Sequence, residues 1–139
     1  MCKPAAMVSR ANPIVVIDDD PSIRQVTRLV LEAEGYRVFD CETTQAGLAL
    51  TRELAAQRPV VLLDLNLHHE TGLAFLRALD PAERTVRVAV ISAMPEVYAE
   101  HAEELTRADA LLGKPVGVQP LLELVARLTA APNDQGDPA

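Results

Sequence analysis

The residues best equipped for chemistry in this chain are carboxylates: Asp18, Asp19 and Asp20 stand consecutively, and Asp64 stands alone inside Val60-Val61-Leu62-Leu63-Asp64-Leu65. An ionisable side chain within a run of buried β-branched and leucine positions is costly unless something compensates it, so Asp64 reads as a functional acid. The triple-Asp run is a weaker signal by itself, since Asp is a common helix cap and turn residue. Brought together, such acids repel one another and titrate upward unless a cation neutralises them, and an all-oxygen set suits a hard ion such as Mg²⁺. Further along, Ser92-Ala93 and Lys114-Pro115 offer a hydroxyl and an ammonium. A lone lysine is ordinarily a solvated charge. The residue before proline favours extended geometry, however, and an X-Pro bond can be cis, so Lys114 can be turned inward as a clamp for phosphate.

The elements that must position these groups follow from hydrophobic periodicity. Pro13 to Ile17 is a short apolar run that stops at the acids, the pattern of a strand buried on both faces. Asp20 then reads as an N-cap with Pro21 at the first helical position, and Ile23, Val26, Leu29, Val30 and Ala33 recur at helical spacing until Gly35. The alternation continues with a strand over Tyr36 to Cys41 and a helix capped by Thr43 or Thr44 and running to Gln57. Val60 to Leu65 is a third strand, Gly72 to Leu79 a third helix, Val86 to Ile91 a fourth strand and Pro95 to Thr106 a fourth helix. A weak fifth strand, Ala110 to Leu112, precedes a helix over Val118 to Ala131. Five strands alternating with five helices predict an α/β domain, a mostly parallel sheet covered on both faces. Ligands in such sheets bind outside the carboxyl ends of the strands, where Asp18–Asp20, Asp64 and Ser92 all fall.

At 139 residues the chain fits one ordinary domain. A hydrophobic fraction of 49% with 24% charged residues is that of a globular protein. We expect residues 1–11 to be an N-terminal extension, 12–131 the folded domain, and 132–139 a disordered tail. A net charge of −7 and an aromatic fraction of 3% argue against direct binding of nucleic acid or an anionic membrane. Cys2 and Cys41 make neither a metal cluster nor a disulfide framework, and no run approaches a membrane span, so a cytoplasmic protein is expected.

The ordered set of Asp18-Asp19, Asp64 within LLDLNL, Ser92-Ala93 and Lys114-Pro115 resembles the receiver domain of two-component response regulators, over roughly residues 12–131. The resemblance implies a doubly wound (βα)5 fold, flavodoxin-like, with strand order 2-1-3-4-5. It implies that Asp64 is the phosphoacceptor, charged from the phosphohistidine of a sensor histidine kinase or histidine phosphotransfer protein. Asp19 would ligate Mg²⁺ directly, Asp18 largely through water, Asp64 by its carboxylate and Asn66 by its backbone carbonyl. Ser92 and Lys114 would each hold a phosphoryl oxygen, Ala93 leaving room. Such a domain catalyses its own phosphorylation and dephosphorylation without being a conventional turnover enzyme. Output would pass by protein contact to a downstream target, and a homodimer is compatible with this reading.

The sequence departs from the family in two places. After Asp64 it reads Leu67-His68-His69-Glu70-Thr71-Gly72, keeping only the final glycine of the usual loop, and the histidines are assigned no catalytic role. Leu111 stands where a switch Tyr or Phe is usual, with Arg107 replacing a common glycine and Gly113 preceding the lysine. Two alternatives follow. One is a pseudo-receiver that binds a partner without phosphorylation, which Leu111 favours and the intact acids oppose. The other is a haloacid-dehalogenase-like phosphohydrolase, which needs its nucleophile in a DxD motif on the first strand.

Overall fold

The computed structural model describes residues 12–65, 72–79, 85–93 and 102–134. Its strands are β1 (Ile14–Ile17), β2 (Val38–Cys41), β3 (Val60–Asp64), β4 (Arg87–Ser92) and β5 (Ala110–Gly113). Its helices are α1 (Pro21–Ala33), α2 (Thr44–Glu53), α3 (Leu73–Ala78), α4 (Ala102–Leu105) and α5 (Val118–Asp134), with a 3-10 turn at Ala55–Gln57. The strands form one parallel sheet in the order β2-β1-β3-β4-β5. Because all run the same way, every carboxyl end lies on one edge of the sheet. The chain order reverses at β1, which pairs with β2 on one side and β3 on the other: Ile14 is in register with both Val38 and Val60.

Side chains alternate across the sheet and divide the core in two. Val15, Ile17, Val61 and Leu63 pack with Phe75 and Leu76 on one face. Ile14, Val16, Val60 and Leu62 pack with Leu31, Leu121, Leu124 and Val125 on the other. With helices on both sides, β1 and β3 are buried throughout, which is why they read as unbroken apolar runs.

Local chemistry sets the ends. Asp20 caps α1, its carboxylate accepting from the N–H groups of Ser22 and Ile23, and Gly35 leaves the helix at a φ of 93° that only glycine adopts freely. Thr43, one of the two expected caps, accepts from the Ala46 N–H at 3.1 Å. The helix expected to reach Gln57 stops at Glu53 and tightens into the 3-10 turn, which ends at Arg58 with a φ of 59°. No glycine marks that turn. At the other end, α5 continues through Pro132 to Asp134 rather than stopping at Ala131. The first part of the helix expected over Pro95 to Thr106 falls outside the described residues, as do residues 1–11 and 135–139. Arg107, which replaces a common glycine, closes α3: its guanidinium donates to the carbonyls of Leu76, Arg77 and Leu79 at 2.9, 3.2 and 3.2 Å.

Gly47 permits the close approach of α2 to β1. A Cβ there would lie 2.3 Å from Cδ1 of the fully buried Ile17. We expect Gly47→Ala to destabilise the domain by about 1–3 kcal/mol, as overpacking does. Urea denaturation reads this directly; an unchanged midpoint would mean that Ile17 has a free rotamer to move into.

Candidate functional site

The acids expected to converge do so at the carboxyl edge of β1 and β3. Asp18, just past β1, and Asp64, the last residue of β3, are 5% and 4% exposed. Carboxylate oxygens of Asp18, Asp19 and Asp64 all lie within 4.8 Å of one another. Lys114 reaches them from the end of β5, its Nζ 3.3 Å from Asp18 Oδ2 and 3.2 Å from Asp64 Oδ2. Burial works to lower the Lys114 pKa, but the carboxylates of Asp64 and Asp18 together outweigh it, and the ammonium is held above its ordinary value. The Lys114–Pro115 peptide bond is cis.

Asp20 plays the capping role and takes no part in this group, so the two readings of the triple-Asp run apply to different residues. Asp18 joins the two: its Oδ1 accepts from the Asp20 N–H at 2.9 Å while its Oδ2 faces Lys114. Three carboxylates against one ammonium leave the site net negative. A Mg²⁺ ion with oxygens at about 2.0–2.1 Å sets opposite ligands about 4.2 Å apart. The oxygens of the three acids lie within 4.8 Å of one another and are the hard donors the ion prefers, so they fit it.

Ser92 is buried at the end of β4, one residue beyond Ile91, which is in register with Asp64. Its carbonyl accepts from the Lys114 N–H at 3.0 Å, tying the two strand ends together. The Ser92 side chain does not line the cleft that contains Asp18, Asp64 and Lys114. Asn66 lies outside the described residues, as do Leu67, His68, His69, Glu70 and Thr71. Leu111, at the switch position, is 46% exposed on β5.

That cleft, of about 340 Å³, is mostly apolar, with Ile23, Val26 and Val30 of α1 on one wall and Val116, Val118 and Leu121 on the other. One contact beside the acids had no sequence signal. Arg24, in the first turns of α1, donates to the backbone carbonyl of Asp18 at 2.8 Å. An arginine on the polar side of an amphipathic helix looks like any solvated charge.

Comparison with known proteins agrees with the geometry. The family described as Response regulator receiver domain matches residues 14–126. The KDP operon transcriptional regulatory protein KdpE of Escherichia coli (strain K12) is 38% identical over 119 residues, covering 85% of this chain and 50% of that protein. The chain thus spans about half the length of such relatives. Among solved structures, the CheY-like receiver domain protein from Methanospirillum hungatei JF-1 superposes with a TM-score of 0.72 at 26% identity, covering 85% of this chain and 94% of that one. The response regulator TrrA from Thermotoga maritima, in complex with Mg(2+)-BeF, shares the fold with a TM-score of 0.71 at 24% identity, covering 84% and 98%. These matches leave no place for the dehalogenase-like alternative: the chain belongs to the response regulator receiver domain family.

Proposed function

We propose that this receiver accepts a phosphoryl group on Asp64 from the phosphohistidine of a sensor histidine kinase or phosphotransfer protein, with Mg²⁺ held by Asp18, Asp19 and Asp64 and by the Asn66 carbonyl. The observation that carries this is the buried Asp64 carboxylate, grouped with two further acids and touched by Lys114. In the transfer, an Asp64 oxygen attacks phosphorus in line, the N–P bond breaks, and its electron pair stays on the imidazole nitrogen. When bound, Mg²⁺ neutralises charge on the phosphoryl oxygens. Lys114 pairs with one of those oxygens and Ser92 donates to another. Intact acids and Lys114 support this over a receiver that binds its partner unphosphorylated. We read the output as protein contact, and the site as located in the cytoplasm with the donor. Incubation with a small phosphodonor and Mg²⁺, followed by intact mass, tests the reading: one added phosphoryl group is expected, and no gain with any donor would overturn it.

The cleft beside Asp64 suits a protein donor. Ile23, Val26 and Val118 are 38%, 58% and 55% exposed around it, an apolar rim continuous with the nucleophile. We expect Val26→Asp to slow transfer from a protein phosphodonor at least about tenfold, the loss of one well-buried apolar contact. Phosphorylation by the small donor should be unchanged. Equal slowing with both donors would show that the substitution disturbs Asp64 instead of docking.

A further inference from the structure

We infer that Arg24 is a positioning residue for the acid cluster, fixing the peptide that launches Asp19 toward the metal. The inference rests on the phosphoacceptor reading above. Arg24 is 17% exposed at its side chain and serves two hydrogen-bond acceptors, with the exposed Glu42 carboxylate a longer ion-pair partner of its terminal nitrogen at 4.0 Å. Its Nε donates to Asp40 Oδ2 on β2 at 3.0 Å, and one terminal nitrogen donates to the Asp18 carbonyl at 2.8 Å. The second oxygen of Asp40 is taken by Arg28 at 2.8 Å, so Asp40 is a fixed anchor, not a free counter-ion.

The Asp18 carbonyl and the Asp19 N–H belong to one planar peptide unit. Holding that carbonyl therefore sets the plane from which the Asp19 side chain departs. Every other polar group of Asp18 also has a described partner: its N–H donates to the Cys41 carbonyl at 3.1 Å, Oδ1 accepts from Asp20, and Oδ2 faces Lys114. Asp18 is thus clamped from β2, α1 and β5 at once, and Arg24 is the clamp on the side of Asp19. A planar fork is suited to holding two acceptors in fixed relation; a point-charge ammonium is not.

Electrostatics and positioning predict opposite signs, which makes the role testable. A cation near three carboxylates disfavours Mg²⁺, so removing its charge should tighten metal binding if charge alone mattered. Positioning predicts the reverse. In the full chain, we expect Arg24→Gln to weaken Mg²⁺ binding by about tenfold or more, the usual cost of losing a group that orients a ligand. Arg28→Gln removes the same charge from the same Asp40 pair without touching Asp18, and it should leave affinity near the parent's. In metal-free protein, hydrogen exchange at the Asp19 and Asp20 amides should quicken in Arg24→Gln and stay unchanged in Arg28→Gln. Should Arg24→Gln fail to fold, Arg24→Lys keeps the charge, cannot reach both partners, and is expected to show the same weakening. Unchanged or tighter Mg²⁺ binding on loss of Arg24, or equal weakening by both substitutions, would overturn the inference. A parent that binds no Mg²⁺ would instead sink the functional reading, and the amide exchange would still decide what Arg24 holds.

Discussion

Asp64→Asn is expected to gain no phosphoryl group from any donor while remaining as stable as the parent in metal-free buffer. The carboxamide keeps the shape of the side chain and lacks the anionic oxygen that attacks phosphorus. Its effect on the resting fold is small because two changes offset each other: Lys114 loses a charged partner at 3.2 Å, and the crowded acids lose a repulsion. Asp18, Asp19 and Asp64 crowd within 4.8 Å against one ammonium, so neutralising one acid relieves repulsion, and Lys114 keeps Asp18 at 3.3 Å. Mg²⁺ affinity should fall by about tenfold or more, since the ion takes only a few carboxylates and loses one. Intact mass, calorimetric titration and thermal melts with a chelator read the three effects. A phosphorylated Asp64→Asn protein would place the acceptor elsewhere, and a large drop in melting temperature would show that Asp64 is chiefly structural.

Gly72→Ala is expected to damage both stability and phosphorylation. A Cβ at Gly72 would lie 2.6 Å from the Asp64 carbonyl oxygen and 3.1 Å from both Leu63 Cγ and Leu65 Cα. Backbone cannot swing aside as the end of a side chain can, so either α3 retreats or the strand end carrying the nucleophile shifts. The overpacking should cost about 1–3 kcal/mol. Displacing Asp64 by a fraction of an ångström should slow phosphorylation by about ten- to a hundredfold. Denaturation and the initial rate with a small donor, measured where the variant is fully folded, separate the two effects. A destabilised protein that phosphorylates at the parent's rate would show that α3 absorbs the whole displacement.

Much of this site was legible in the sequence because each acid interrupts a pattern. Asp64 breaks a run of buried residues, and Asp18 and Asp19 follow a strand with no exposed face. Lys114 was legible only in company, through its order after the other motifs. Strand order came from the resemblance: alternation predicts a parallel sheet but does not say that β1 lies between β2 and β3. Arg24 was not legible, because its significance depends on a backbone carbonyl that no side-chain pattern reports. The same holds for Arg107, whose three acceptors are carbonyls of another helix end. Gly47 and Gly72 are spacers whose need for smallness arises from distant partners. The end of the 3-10 turn after α2 depends on Arg58 adopting a backbone angle typical of glycine.

The division of the core by the sheet bears on how the sequence can drift. Leu62 and Leu63 are neighbours in the chain, yet one packs with α5 residues and the other with Phe75 of α3. A change of volume at Leu63 can be offset only by residues on its own face, and the same holds for Leu62, because an intact layer of backbone separates the two. Substitutions on opposite faces should add in their effects on stability, whereas those sharing a face should couple. Repair of a damaged core is thus confined to half of the molecule, and adjacent codons can follow independent histories.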